Sequence, residues 1–74
     1  MPADAKTQIE IVVNGEPKSV PEGSSVSQLL ESLGLPADRV AVEYNREILK
    51  KERWPETRLQ AGDRLEIVTF VGGG

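Results

Sequence analysis

The stretch Ile9-Glu10-Ile11-Val12-Val13-Asn14-Gly15-Glu16-Pro17-Lys18-Ser19-Val20 decides the fold. Ile9, Ile11 and Val13 alternate with Glu10 and Val12, largely in β-branched residues, which is the pattern of a half-buried strand. Asn14-Gly15 follows at once and readily takes the two positive-φ positions of a type I′ turn. Residues 16–20 therefore return antiparallel as the second arm of a hairpin. Pro17 has no N–H to give to a ladder, which makes that arm a sheet edge.

Pro21-Glu22-Gly23 breaks the strand. Beyond it, Val26, Leu29, Leu30 and Leu33 recur at i, i+3, i+4 and i+7, an amphipathic helix. Ser25 and Gln28 fit a capping box, Gly34 supplies a left-handed end, and Pro36 forbids continuation. A helix this short does not persist alone and must lie on a sheet. Val40, Val42 and Tyr44 alternate with Ala41 and Glu43 as a third strand, and Asn45-Arg46 turns the chain into a short segment at 47–49. Residues 50–59 are charged around Trp54-Pro55 and read as an irregular or single-turn crossing, with Trp54 at the edge of the core. After the turn Ala61-Gly62-Asp63, residues 64–71 form the last strand, with Leu65, Ile67, Thr69 and Val71 on one face and Glu66, Val68 and Phe70 on the other.

The order hairpin, helix, further strands gives an α+β domain in which one helix packs across a mixed sheet of four to five strands. If the first and last strands pair in parallel as central neighbours, this is the β-grasp arrangement. Residues 1–8 lack apolar periodicity and read as a flexible N-terminal arm, 9–71 as the folded domain, and 72–74 as a flexible glycine tail.

At 74 residues there is room for one small core and not for a deep catalytic cleft. Hydrophobic residues at 38 % and charged residues at 28 % match an ordinary soluble domain. Nine Lys and Arg against 12 Asp and Glu leave a net charge of -3, which argues against binding nucleic acid or an anionic membrane by charge. Cys and His are both absent from the chain, and with them thiolate and imidazole chemistry and the commonest metal ligands. A small domain without disulfides fits a reducing, cytoplasmic compartment. Residues 1–8 carry no apolar signal region, and no window approaches the ~20 apolar residues of a membrane span. Ser24-Ser25 has no histidine to pair with and reads as turn and cap; Lys50-Lys51 reads as a solvated face. No catalytic or metal-binding residue is assigned.

The C-terminus is different. Gly72-Gly73-Gly74 follows the last apolar strand directly, so a carboxylate sits on a tail without side chains. One reading is a frayed end or linker. The other makes the Gly74 carboxylate a substrate, its tail threaded through a narrow channel that only glycine can enter without Cβ collisions. Ordering the tail costs roughly 1 to 2 kcal/mol per residue, so the folded body needs a docking surface. Val68 and Phe70, with Val71 leading into the tail, are the candidate partner-binding residues.

Together, Ile11-Val12-Val13-Asn14-Gly15, Ser25-Val26-Ser27-Gln28-Leu29-Leu30, Val40-Ala41-Val42-Glu43-Tyr44-Asn45, the run from Leu59 to Val68 and the ending Phe70-Val71-Gly72-Gly73-Gly74 resemble the ThiS-type sulfur carriers of thiamin biosynthesis, ubiquitin-like β-grasp proteins, over residues 9–74. The resemblance implies a carrier, not an enzyme. Its Gly74 carboxylate would be adenylated by an E1-like enzyme of the ThiF type, which uses ATP and magnesium, and Gly72 and Gly73 would be recognised as the tail. A sulfur donor system would then convert the end to a thiocarboxylate, and a thiazole synthase of the ThiG type would accept the sulfur. The carrier itself would bind no cofactor. Asn45-Arg46 departs from the Asn-Gly often found in relatives. The chain is also similar to the small subunit of molybdopterin synthase and to carriers of other sulfur pathways, and a ubiquitin-like interaction module without carrier chemistry is the alternative of a different class.

Overall fold

In the computed structural model, which describes residues 7–70, strand β1 (Gln8–Val13) turns back into β2 (Glu16–Pro21). The φ angles of 52° at Asn14 and 84° at Gly15 are the paired positive values of a type I′ turn. Ile11 is fully buried, and Ile9 and Val13 pack against the core. β1 begins at Gln8, one residue before the expected boundary, because β2 runs on to Pro21 and lies opposite it. The Thr7 carbonyl also accepts the Glu22 N–H at 3.1 Å. Thr7 and Gln8 of the expected arm are thus tied to the sheet, while residues 1–6 lie outside the described residues.

Helix α1 (Val26–Ser32) has the caps its sequence calls for. The Ser25 hydroxyl accepts the Gln28 N–H at 3.1 Å, and the Gln28 side-chain oxygen accepts the Ser25 N–H at 2.8 Å. At the other end Gly34 sits at φ 72°. Its N–H bonds the Glu31 carbonyl at 3.0 Å and the Leu35 N–H bonds the Leu30 carbonyl at 3.1 Å, a Schellman closure. Caps alone do not hold seven residues helical; burial of Val26, Leu29 and Leu30 does.

Strands β3 (Val40–Tyr44), β4 (Glu47–Leu49) and β5 (Arg64–Thr69) complete a five-stranded sheet in the order β2-β1-β5-β3-β4. β1 and β5 are parallel, with Val12 opposite Arg64 and Val13 opposite Leu65. β5 pairs antiparallel with β3, and β3 with β4. This is the mixed β-grasp sheet of ubiquitin-like proteins, with α1 on one face and Pro17 on an edge strand as expected.

Two details differ from the sequence expectation, and a third, the turn at Asn45-Arg46, forms where expected. β5 ends at Thr69 rather than residue 71, because β3 begins at Val40, opposite Thr69, and beyond it Phe70 meets only the Arg39 carbonyl of the preceding 3-10 turn. Val71 lies outside the described residues. Trp54 is inside the core rather than at its edge, 4 % exposed, on a two-turn 3-10 helix (Lys51–Glu56) packed on α1. Its indole N–H donates to the Leu49 carbonyl at 3.0 Å, which satisfies the one polar atom that burial would strand. Asn45 and Arg46 make a second tight hairpin with both φ angles positive, 50° and 73°, although Arg46 carries a side chain where glycine would be unstrained.

Candidate functional site

β5 separates two surfaces by simple alternation. Leu65 and Ile67 point into the core under α1, whereas Glu66 and Val68 face outward on the side of the sheet that no helix covers. Val68 is 56 % exposed and Phe70, just beyond the strand, 55 %. The Phe70 N–H donates to the Arg39 carbonyl at 2.7 Å, so the chain leaves the sheet from a fixed point. Both candidate docking residues are therefore at the surface. Val71, Gly72, Gly73 and Gly74 lie outside the described residues.

Register brings further residues to this face. Ala41 lies opposite Val68, Glu43 opposite Glu66, and Ile48 opposite Glu43. Together they line an open groove of about 520 Å³ with Arg46 and Arg64 at its rim. Ile48 is 72 % exposed, more than either residue singled out from the sequence. Its only sequence signal is an isoleucine in the middle of a three-residue strand whose neighbour Leu49 packs on the core.

The end of the groove away from the tail is held by polar side chains. The Tyr44 hydroxyl donates to the Asp63 carboxylate at 2.5 Å, and the Gln60 N–H bonds the same oxygen at 2.8 Å. The Asn45 side chain reaches the other oxygen at 3.3 Å while its own oxygen accepts the Arg64 N–H at 2.9 Å. Asp63, 8 % exposed, thus ties the β3–β4 turn to the start of β5. Burial first, and then the bond to Asp63 and its charge, push the Tyr44 phenol up to about 12. Among the described residues no group of three or more acidic side chains gathers as a metal site, and no helix is long and apolar enough to cross a membrane.

What this arrangement offers is an open, partly apolar sheet face that includes Val68, close in sequence to Val71 and Gly72-Gly73-Gly74. Comparison with known proteins covers nearly the whole chain. Residues 7–74 match the ThiS family. The chain is 41 % identical over 66 residues to a thiazole synthase of Paramagnetospirillum magneticum, an alignment covering 89 % of the chain but only 20 % of that protein's length. It is 48 % identical over 50 residues to the sulfur carrier protein ThiS of Bacillus subtilis, covering 68 % of the chain and 76 % of the relative. The crystal structure of the thiamine biosynthesis protein ThiS from Geobacter metallireducens superposes with a TM-score of 0.76 at 38 % identity, over 89 % of the chain and 100 % of that structure.

Proposed function

The chain belongs to the ThiS family, and from that premise we propose that it is a sulfur carrier for thiamin biosynthesis, working through the carboxylate of Gly74. The observation that carries this reading is a family match running through the last residue, across Gly72-Gly73-Gly74. The name of the Bacillus subtilis relative supports the carrier role, and the name of the Paramagnetospirillum magneticum relative supports delivery to a thiazole synthase.

The chain acts as a co-substrate. An E1-like adenylating enzyme binds the open sheet face through Val68 and Phe70, takes Val71 as the lead into the tail, and threads residues 72–74 toward ATP. A Gly74 carboxylate oxygen attacks the α-phosphorus and pyrophosphate leaves, giving an acyl adenylate. Hydrosulfide delivered by a donor system then adds to the acyl carbon and AMP departs with the bonding pair, leaving a thiocarboxylate in which sulfur replaces one oxygen. Charge stabilisation and magnesium belong to the enzyme. This chain supplies the carboxylate, a tail without side chains and a body that orients it.

The test compares the intact chain with one lacking Gly74 and one extended by a residue, each incubated with the adenylating enzyme, ATP and a sulfur donor. Either change moves the carboxylate by up to about 3.3 to 3.6 Å of extended chain, enough to lose near-attack geometry. Mass spectrometry is expected to find oxygen-for-sulfur exchange at the terminus of the intact chain alone, with all three melting alike. Modification that persists in the altered chains, or falls on an internal residue, overturns the proposal.

A further inference from the structure

Two features of the open sheet face lower the stability of the fold, and both sit on one groove. Glu43 and Glu66 are directly opposite on β3 and β5, where like charges repel. Arg46 is held at φ 73°, left-handed backbone that glycine adopts freely and a residue with a Cβ adopts at a cost. These three side chains and Arg64 line the same groove. Among the described residues the one ion pair is Arg53 with Glu56, so none of the four charges forms an ion pair with another described residue. Local costs that converge on one surface point to a use other than stability.

Register arranges the charges in bands. Toward the C-terminus, β5 presents Arg64, then Glu66 beside Glu43, then Val68 beside Ala41, and the chain continues to Phe70, four residues from its end. Arg46 joins the first band, because the turn that carries it is bonded to Arg64 through Asn45. Ile48, opposite Glu43, borders the second.

We propose that these bands are a docking code read by the tail-activating enzyme. The enzyme presents an apolar surface beside its tail channel, basic groups to Glu43 and Glu66, and acidic groups to Arg46 and Arg64. The proposal rests on the carrier reading above. On that reading the enzyme must hold the Gly74 carboxylate, which argues for this occupant. Four residues beyond Phe70 reach at most about 13 to 14 Å, so an enzyme holding the terminal carboxylate brings its own surface onto the body close to Val68 and Phe70. An apolar contact there leaves rotation about the tail poorly fixed. Ordered charges at its rim set orientation and partner choice.

The experiment measures adenylation by ATP–pyrophosphate exchange with the E1-like enzyme as the carrier concentration is varied. Glu43→Lys with Glu66→Lys is expected to raise the carrier KM at least tenfold, with kcat within twofold. Glu31→Lys with Glu52→Lys makes the same change of net charge on the helical side, and its KM is expected to stay within twofold of the parent. Arg46→Gly is expected to melt higher and yet raise KM threefold or more, opposite signs that a purely structural turn residue does not give. Equal KM for the two double variants, or a more stable Arg46→Gly carrier with unchanged KM, overturns the code while leaving the carrier reading standing. Absence of exchange with the unaltered chain overturns both.

Discussion

The side-chain amide of Asn14 acts as one more peptide of β1 against Ile67. Its oxygen accepts the Ile67 N–H at 2.7 Å and its nitrogen donates to the Ile67 carbonyl at 3.2 Å. Just before it, the backbone N–H groups of Val12 and Asn14 bond the carbonyls of Asp63 and Leu65 at 2.8 and 2.9 Å. The backbone of β1 turns away at Asn14, and its side chain carries the parallel ladder one step further toward the tail. Asn45 mirrors it from the other side of β5 with its bond to the Arg64 N–H. The central strand is thus clamped by the first residue of each tight turn.

Replacing Asn14 by glycine keeps the positive φ and removes both bonds. We expect Asn14→Gly to lose about 1 to 3 kcal/mol, read by urea unfolding, with faster hydrogen exchange at the Ile67 amide. Unaltered stability and protection would leave the clamp without energetic weight.

Tyr44 makes a pH prediction whose sign is fixed by its neighbours. Its phenol is raised from 10.0 to about 12 in the folded chain, so the neutral form is favoured by folding. The stability this contributes is complete below about pH 10 and is lost as pH rises from there toward 12. Tyr44 is the sole tyrosine, so phenolate absorbance reports it directly. The native midpoint should lie near 12 and fall toward 10 in urea. Asp63→Asn should lower the native midpoint, and Tyr44→Phe should flatten the loss of stability across that interval. A native midpoint near 10 would contradict the burial and the bond together.

These two clusters also mark the boundary of what is legible in the sequence. Asn14-Gly15 announces its turn because few residues accept positive φ, and the Ser25–Gln28 box announces the helix because both partners are three residues apart. The same asparagine's second role depends on which strand lies beside it, 53 residues away, and no local pattern encodes that. Asp63 reads as a turn residue for the same reason, since its Tyr44 and Asn45 partners come from another hairpin. Trp54 was hidden by charged neighbours: a 3-10 helix can bury one residue in three while the rest stay solvated. Ile48 sits in a strand too short for alternation to assign a face. On β5, by contrast, four alternating residues were enough to separate Leu65 and Ile67 from Glu66 and Val68.

The α1 stripe gives a direct test of the core. Leu30 is 3 % exposed and its carbonyl also closes the helix end through Leu35. Leu30→Ala is expected to cost about 2 to 5 kcal/mol, a large share of the roughly 5 to 15 kcal/mol that holds a small domain together. Thermal melts should fall sharply although the substitution leaves the Ser25–Gln28 capping box and the backbone closure at Gly34 and Leu35 chemically untouched. A variant melting with the parent would remove α1 from the core.

Phe70 separates docking from folding. Its backbone is pinned to Arg39 while its side chain is 55 % exposed, so the ring contributes little to the core and can be removed without opening a cavity. An exposed aromatic two positions along from Val68 and two residues before Gly72 is placed to anchor a partner that takes the tail. Phe70→Ala should therefore leave the melting curve within about 0.5 kcal/mol of the parent and weaken binding to the adenylating enzyme by about 1 to 3 kcal/mol. Titration calorimetry with nonhydrolysable ATP in the enzyme isolates the docking step from the chemistry. A variant that binds as the parent does would move the anchor elsewhere on the face, to Ile48 or Val68. One that unfolds would return the ring to a structural role.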